Sequence, residues 1–93
     1  MKAVRCHFAN MAKHGVREEE VRECLAGKHL RLRNPSGARG TYLVVGKTLG
    51  GRYLEIVFED RGDCRWVFHA MTARPRLVRL FRVRMRQHGH EEA

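Results

Sequence analysis

Imidazole titrates near neutrality, so a histidine on an otherwise apolar strand is the first place to look for proton transfer. Such a residue is His69, at the end of the strand-like run Cys64 to His69, and Glu55 lies within a second such run, Arg52 to Glu59. Together with Arg65 they offer a base, an acid and a cation, the parts that metal-independent cleavage of a phosphodiester beside a hydroxyl would need. A base takes the 2′-hydroxyl proton, cations carry the pentacovalent phosphate, and an acid protonates the leaving 5′-oxygen. Glu55 and His69 can each serve as base or acid. Lys13, His14, Arg52, Arg74, Arg76, Arg79 and Arg82 offer further contacts to a phosphate backbone, the arginines by bidentate pairing.

Each of these residues also has a purely structural reading. A strand histidine can be a hydrogen-bonded packing residue, and a carboxylate among arginines can form a structural ion pair. His14 and Gly15 can close a helix, Arg52 can cover a sheet edge, and the arginines after Pro75 can be a solvated helix face. Glu18, Glu19 and Glu20 suit the positive end of a helix dipole better than a metal site. Neither Cys6-His7 nor His88-x-His90 has the spacing of a closed four-ligand site, so no metal or other cofactor is expected.

The elements that must position these groups follow from periodicity. Phe8, Met11 and Ala12 share a helical face up to Gly15, and a second helix runs from Arg17 to a stop at Gly27, with Val21, Cys24 and Leu25 inward. His29 to Arg33 alternates as an exposed strand before the turn formers Asn34-Pro35-Ser36-Gly37. Thr41 to Val45, Arg52 to Glu59 and Cys64 to His69 read as strands separated by Gly50-Gly51 and Asp60-Arg61-Gly62-Asp63. Alternation puts Leu54, Ile56, Phe58, Trp66 and Phe68 toward the N-terminal helices. Tyr53, Glu55, Val57, Arg65, Val67 and His69 fall on the second face. Pro75 suits the first turn of a final helix over Arg76 to Gln87, with Leu77, Leu80, Phe81 and Arg84 along one stripe, and residues 88–93 read as a disordered tail. The fold class expected is α+β, with two N-terminal helices packed on an antiparallel sheet of three or four strands and a C-terminal helix.

Ninety-three residues suffice for one modest core, so a single domain over 1–93 is expected. The 19 Lys and Arg against 10 Asp and Glu give a formal charge of +9, which favours a polyanionic partner and excludes an acidic, self-solvating chain. Three cysteines without a C-x-x-C pair fit a reducing cytoplasm rather than a disulfide framework. No run approaches the roughly 18 apolar residues of a membrane span, and the start lacks the apolar stretch of a signal peptide, so no membrane partner is expected.

Asn10-Met11-Ala12-Lys13-His14-Gly15-Val16, followed at once by the acidic helix, resembles the N-x-x-K-H-G-V segment of the BrnT family of RelE-like ribonuclease toxins. Gly46-Lys47-Thr48-Leu49-Gly50-Gly51-Arg52-Tyr53-Leu54 resembles that family's G-x-T-x-x-G-R-x-L segment in register with the first. A third segment departs from the pattern: His69 stands for a serine, Met71 for an arginine and Phe81 for a tyrosine. The resemblance spans about residues 8 to 86. It implies a RelE-like fold and a cytoplasmic toxin that cuts RNA and is neutralised by a ribbon-helix-helix antitoxin. It also implies that promoter DNA is bound only through the antitoxin complex. The departures at Met71 and Phe81 keep open a second reading, a non-catalytic basic domain that binds RNA or an antitoxin.

Overall fold

The run Thr41-Tyr42-Leu43-Val44-Val45-Gly46 alternates sides yet is buried at nearly every position, which requires a strand covered on both faces. The computed structural model, which describes residues 3–6, 11, 13–34, 37 and 39–92 with side chains to 87, shows how. In chain order the elements are β1 (Ala3–Cys6), α1 (Glu18–Ala26), β2 (His29–Arg33), β3 (Thr41–Lys47), β4 (Tyr53–Asp60), β5 (Cys64–Thr72) and α2 (Pro75–Glu92). One sheet holds all five strands in the order β1-β5-β4-β3-β2. Helix α1 covers one face: Val21 and Cys24 pack with Val44, Leu54, Ile56, Phe58, Val67 and Ala70. Helix α2 covers the other, where Leu77 and Phe81 meet Leu30, Leu43, Val45 and Ala73.

This corrects the expected fold. Strands β2 to β5 form an antiparallel meander, but β1 pairs parallel with β5, Ala3 opposite Cys64 and Cys6 opposite Val67, so the sheet is five-stranded and mixed. Four residues are too few to display a period, and the partner of β1 lies near the other end of the chain, so no local signal announces it. Among the described residues one helix precedes β2, not two. The short helix read over Phe8 to Ala12 lies outside the described residues except for Met11, which is buried. Helix α2 extends beyond the end expected at Gln87.

Helix α1 starts where its sequence dictates. Its three first-turn glutamates face the positive end of the helix dipole, and Glu20 Oε1 accepts the backbone N–H of Arg17, closing the first turn. Val16, just before the cap, is buried in the same core as Val21 in the next turn, which sets the angle at which the chain enters the helix. At the base of the helix Gly46 permits close approach to β3, since a Cβ there would stand 3.0 Å from Cys24 Cβ and 3.2 Å from Cys24 O. Buried against this contact, the Cys24 thiol is pushed up to about 12, first by desolvation and then by Glu23 and Glu20.

Because backbone lies on both sides of that contact, Gly46→Ala is expected to lower stability by about 1–3 kcal/mol. A urea unfolding midpoint that does not move would show that α1 can ride further from the sheet at little cost.

Candidate active site

Glu55 sits in the middle of β4 on the face under α2 and is only 4% exposed. A carboxylate so placed needs partners. Its Oε2 accepts two hydrogen bonds from one residue, the backbone N–H of Arg74 at 3.1 Å and the Arg74 Nε–H at 3.0 Å. Arg74 immediately precedes Pro75, so the buried charge fixes the start of α2, where the helix dipole also favours an anion. The guanidinium itself stays largely exposed at the surface.

Beside this pair, β5 is irregular. Val67 pairs with Phe58 and His69 with Val57, so Phe68 is an extra residue and the strand bulges. The bulge turns two consecutive side chains the same way: Phe68 and His69 both line an open cavity of about 730 Å³ with Glu55, Val57, Arg74 and Arg76. The face assignment for β5 is corrected accordingly. Val67, not Phe68, enters the core under α1, and Trp66 pairs with Glu59 while Arg65 stacks its guanidinium over the Phe58 ring at 5.2 Å. Phe58 belongs to the α1 core, so Arg65 is on the face away from Glu55 and His69. Strict alternation cannot foresee a one-residue insertion, which exchanges faces on one side of it.

A second imidazole completes the cluster. The His14 ring meets His69 edge-on, with centroids 5.3 Å apart. Arg52 holds it there. Its Nη1 donates to Gly15 O at 3.0 Å and faces Glu20 Oε1 at 3.5 Å, Nη2 reaches His14 O at 3.4 Å, and Nη2 and Nε donate to Thr72 Oγ1 at 2.8 and 3.2 Å. Gly15 adopts a positive φ of 64°, which lets the turn present both carbonyls to one guanidinium. Arg52 therefore acts through the structure: it clasps the His14–Gly15 turn to the end of β5.

The environment of His69 favours the neutral ring. Burial lowers its pKa most, the neighbouring His14 and Arg74 lower it further, and Glu55 opposes them. Of the other residues singled out by sequence, Arg74 and Arg76 line the cavity, and Lys13 is exposed in the turn beside His14. Arg79 is exposed on α2, whereas Arg82 donates to Tyr53 Oη at 3.3 Å and, with Lys47, lowers that phenol's pKa. Sequence reasoning missed Phe68, Arg33 and Asn34 as cavity residues and gave no sign that His14 and His69 would touch. His7, His88 and His90 lie outside the residues whose side chains are described. Among the described residues no three His, Cys, Asp or Glu side chains gather closely enough to hold a metal ion, and no helix is long and apolar enough to cross a membrane.

No family model, curated protein or solved structure matches the chain.

His69 is expected to titrate below the ordinary histidine value of 6.5, read as imidazole chemical shifts against pH. His14→Gln should raise its midpoint and Glu55→Gln should lower it; the opposite order would refute the stated causes. Since the native pKa is depressed, the unfolded chain binds the proton more readily. The contribution of His69 to stability is therefore full above pH 6.5 and is lost as the pH falls toward the native midpoint. Arg52→Lys keeps the charge but not the fork, so it should release His14 and raise the His69 midpoint as His14→Gln does. An unaltered titration would mean that the clasp does not hold the ring pair.

Proposed function

We propose that this protein is a metal-independent endoribonuclease, the toxin of a type II toxin–antitoxin pair. The observation that carries the catalytic reading is that His69, which lines an open basic cavity with Arg74 and Arg76, has the His14 ring against it. His69, kept neutral by its surroundings, takes the proton of a ribose 2′-hydroxyl. The 2′-oxygen attacks phosphorus, the bond from phosphorus to the 5′-oxygen breaks, and His14 supplies the proton that the departing oxygen takes up. Arg74 and Arg76 offset the charge that builds on the phosphate. The products are a 2′,3′-cyclic phosphate and a 5′-hydroxyl. Glu55 works through Arg74, which it anchors, and through His69, whose proton affinity it raises. Arg65, on the other face, and Arg79 lie outside the cavity lining and are suited to backbone contacts at a distance.

Support for a toxin comes from the BrnT-like segments Asn10–Val16 and Gly46–Leu54. From the same resemblance follow a cytoplasmic location, a ribbon-helix-helix antitoxin as partner, and promoter DNA bound only through the complex. A second reading, a non-catalytic basic domain that binds RNA or an antitoxin, is favoured by one observation. Glu55 is buried and bonded twice to Arg74, as a structural ion pair would be.

Wild type incubated with RNA in EDTA is expected to leave 2′,3′-cyclic phosphate ends. His69→Ala and His14→Ala should each slow cleavage by about 10²–10⁴-fold while circular dichroism shows the fold intact. Intact RNA despite salt-sensitive binding would overturn cleavage of free RNA and favour the second reading or a toxin that cuts only on the ribosome.

A further inference from the structure

Beyond the catalytic cavity, at the end of the β2–β3 hairpin, lies a second one of about 550 Å³, lined by Arg33, Asn34, Arg39, Gly40, Thr41 and Tyr42. The two adjoin, for Arg33 and Asn34 line both. Each falls within the roughly 300–1,000 Å³ typical of small-ligand sites. The charges around them are distributed unevenly. Arg17, Arg22, Arg52, Arg61 and Arg74 each face a carboxylate. Arg33, Arg39 and Arg76 form no ion pair among the described residues, and these three line the cavities. Among the described residues no carboxylate lines the second cavity, which therefore presents Arg33 and Arg39 without a lining anion.

We propose that the second cavity is a binding subsite for a flanking nucleotide of a single-stranded RNA, whose backbone runs from His69 past Arg33 to Arg39. Arg33 joins the two sites, and Arg39 takes a phosphate remote from the bond that is cut. Guanidinium groups suit this task because their planar fork grips phosphate oxygens in pairs. Tyr42 lines the second cavity from the α1 side of the sheet, its ring 5.5 Å from Phe58 of the α1 core and 5.0 Å from the Arg31 guanidinium, so the RNA rounds the edge strand β2 between the two cavities. The proposal rests on the ribonuclease reading for its substrate, but it is a statement about binding and is tested without cleavage.

The probes are fluorescein-labelled 2′-O-methyl oligouridylates of two to eight nucleotides, which cannot be cut, with affinity read by anisotropy at fixed salt. Wild-type affinity should rise in a step once the strand is long enough to enter the second cavity. Arg39→Gln should remove the step, weakening the long strands about tenfold and leaving the dinucleotide unchanged. Arg33→Gln should weaken every length. Equal loss at all lengths in Arg39→Gln, or an undiminished step, would overturn the subsite. So would oligoglutamate competing as well as the long strand, which would assign the cavity to an acidic protein segment. A wild type that cuts no RNA yet shows the step and its Arg39 dependence would sink the catalytic reading and leave the subsite standing; cleavage without the step would do the reverse.

Discussion

The Arg52 guanidinium joins the His14–Gly15 turn and nearby Glu20, in the first turn of α1, to Thr72 at the distant end of β5. All three of its nitrogens are engaged, a geometry that a lysine ammonium cannot reproduce. The contact lies where β5 has run past its parallel neighbour, because β1 pairs only with Cys64 to Val67. Beyond the last described β1 pair, His14 stands against His69. A long-range hydrogen-bonded fork thus ties this turn to the end of β5, and the ring pair depends on it.

A second arginine works in the opposite sense. Arg74 is tied to a buried carboxylate at one end of its function and open to solvent at the other. Without the Arg74 guanidinium, the buried Glu55 carboxylate would keep only the backbone N–H of Arg74 from that residue. The helix start, the cavity mouth and the proton affinity of His69 are coupled through that one carboxylate. Of the arginines that border the two cavities, Arg74 is braced by a carboxylate, whereas Arg33, Arg39 and Arg76 form no ion pair among the described residues.

Much of the scaffold was legible in the sequence because it is written locally. The meander from β2 to β5 shows in its alternation and its turn formers, α1 in its acidic start and Gly27, and α2 in Pro75 and the stripe through Leu77 and Phe81. What escaped was non-local or aperiodic. Strand β1 has four residues and a parallel partner across the chain, and the Phe68 bulge moves Arg65 out of the cluster and Phe68 into it. Glu55 and His69 were identified as a pair by face alone, before and after the bulge alike, since His69 lies on its downstream side. The nearness of His14 to His69 could not be read at all, because it is created by the Arg52 fork and not by any repeat.

The parallel pairing of β1 with β5 has a consequence for the order in which the molecule is made. Ala3 lies opposite Cys64, a separation of roughly sixty residues, so this closure carries a high loop entropy and is disfavoured until the intervening meander has condensed. During synthesis the first strand leaves the ribosome with no partner, and His14 has nothing to rest against until β5 emerges. A nascent chain therefore carries every basic residue of its first half while lacking the histidine pair. The paired imidazoles come into being with the last third of the chain, so a prematurely terminated product that ends before His69 has no such pair.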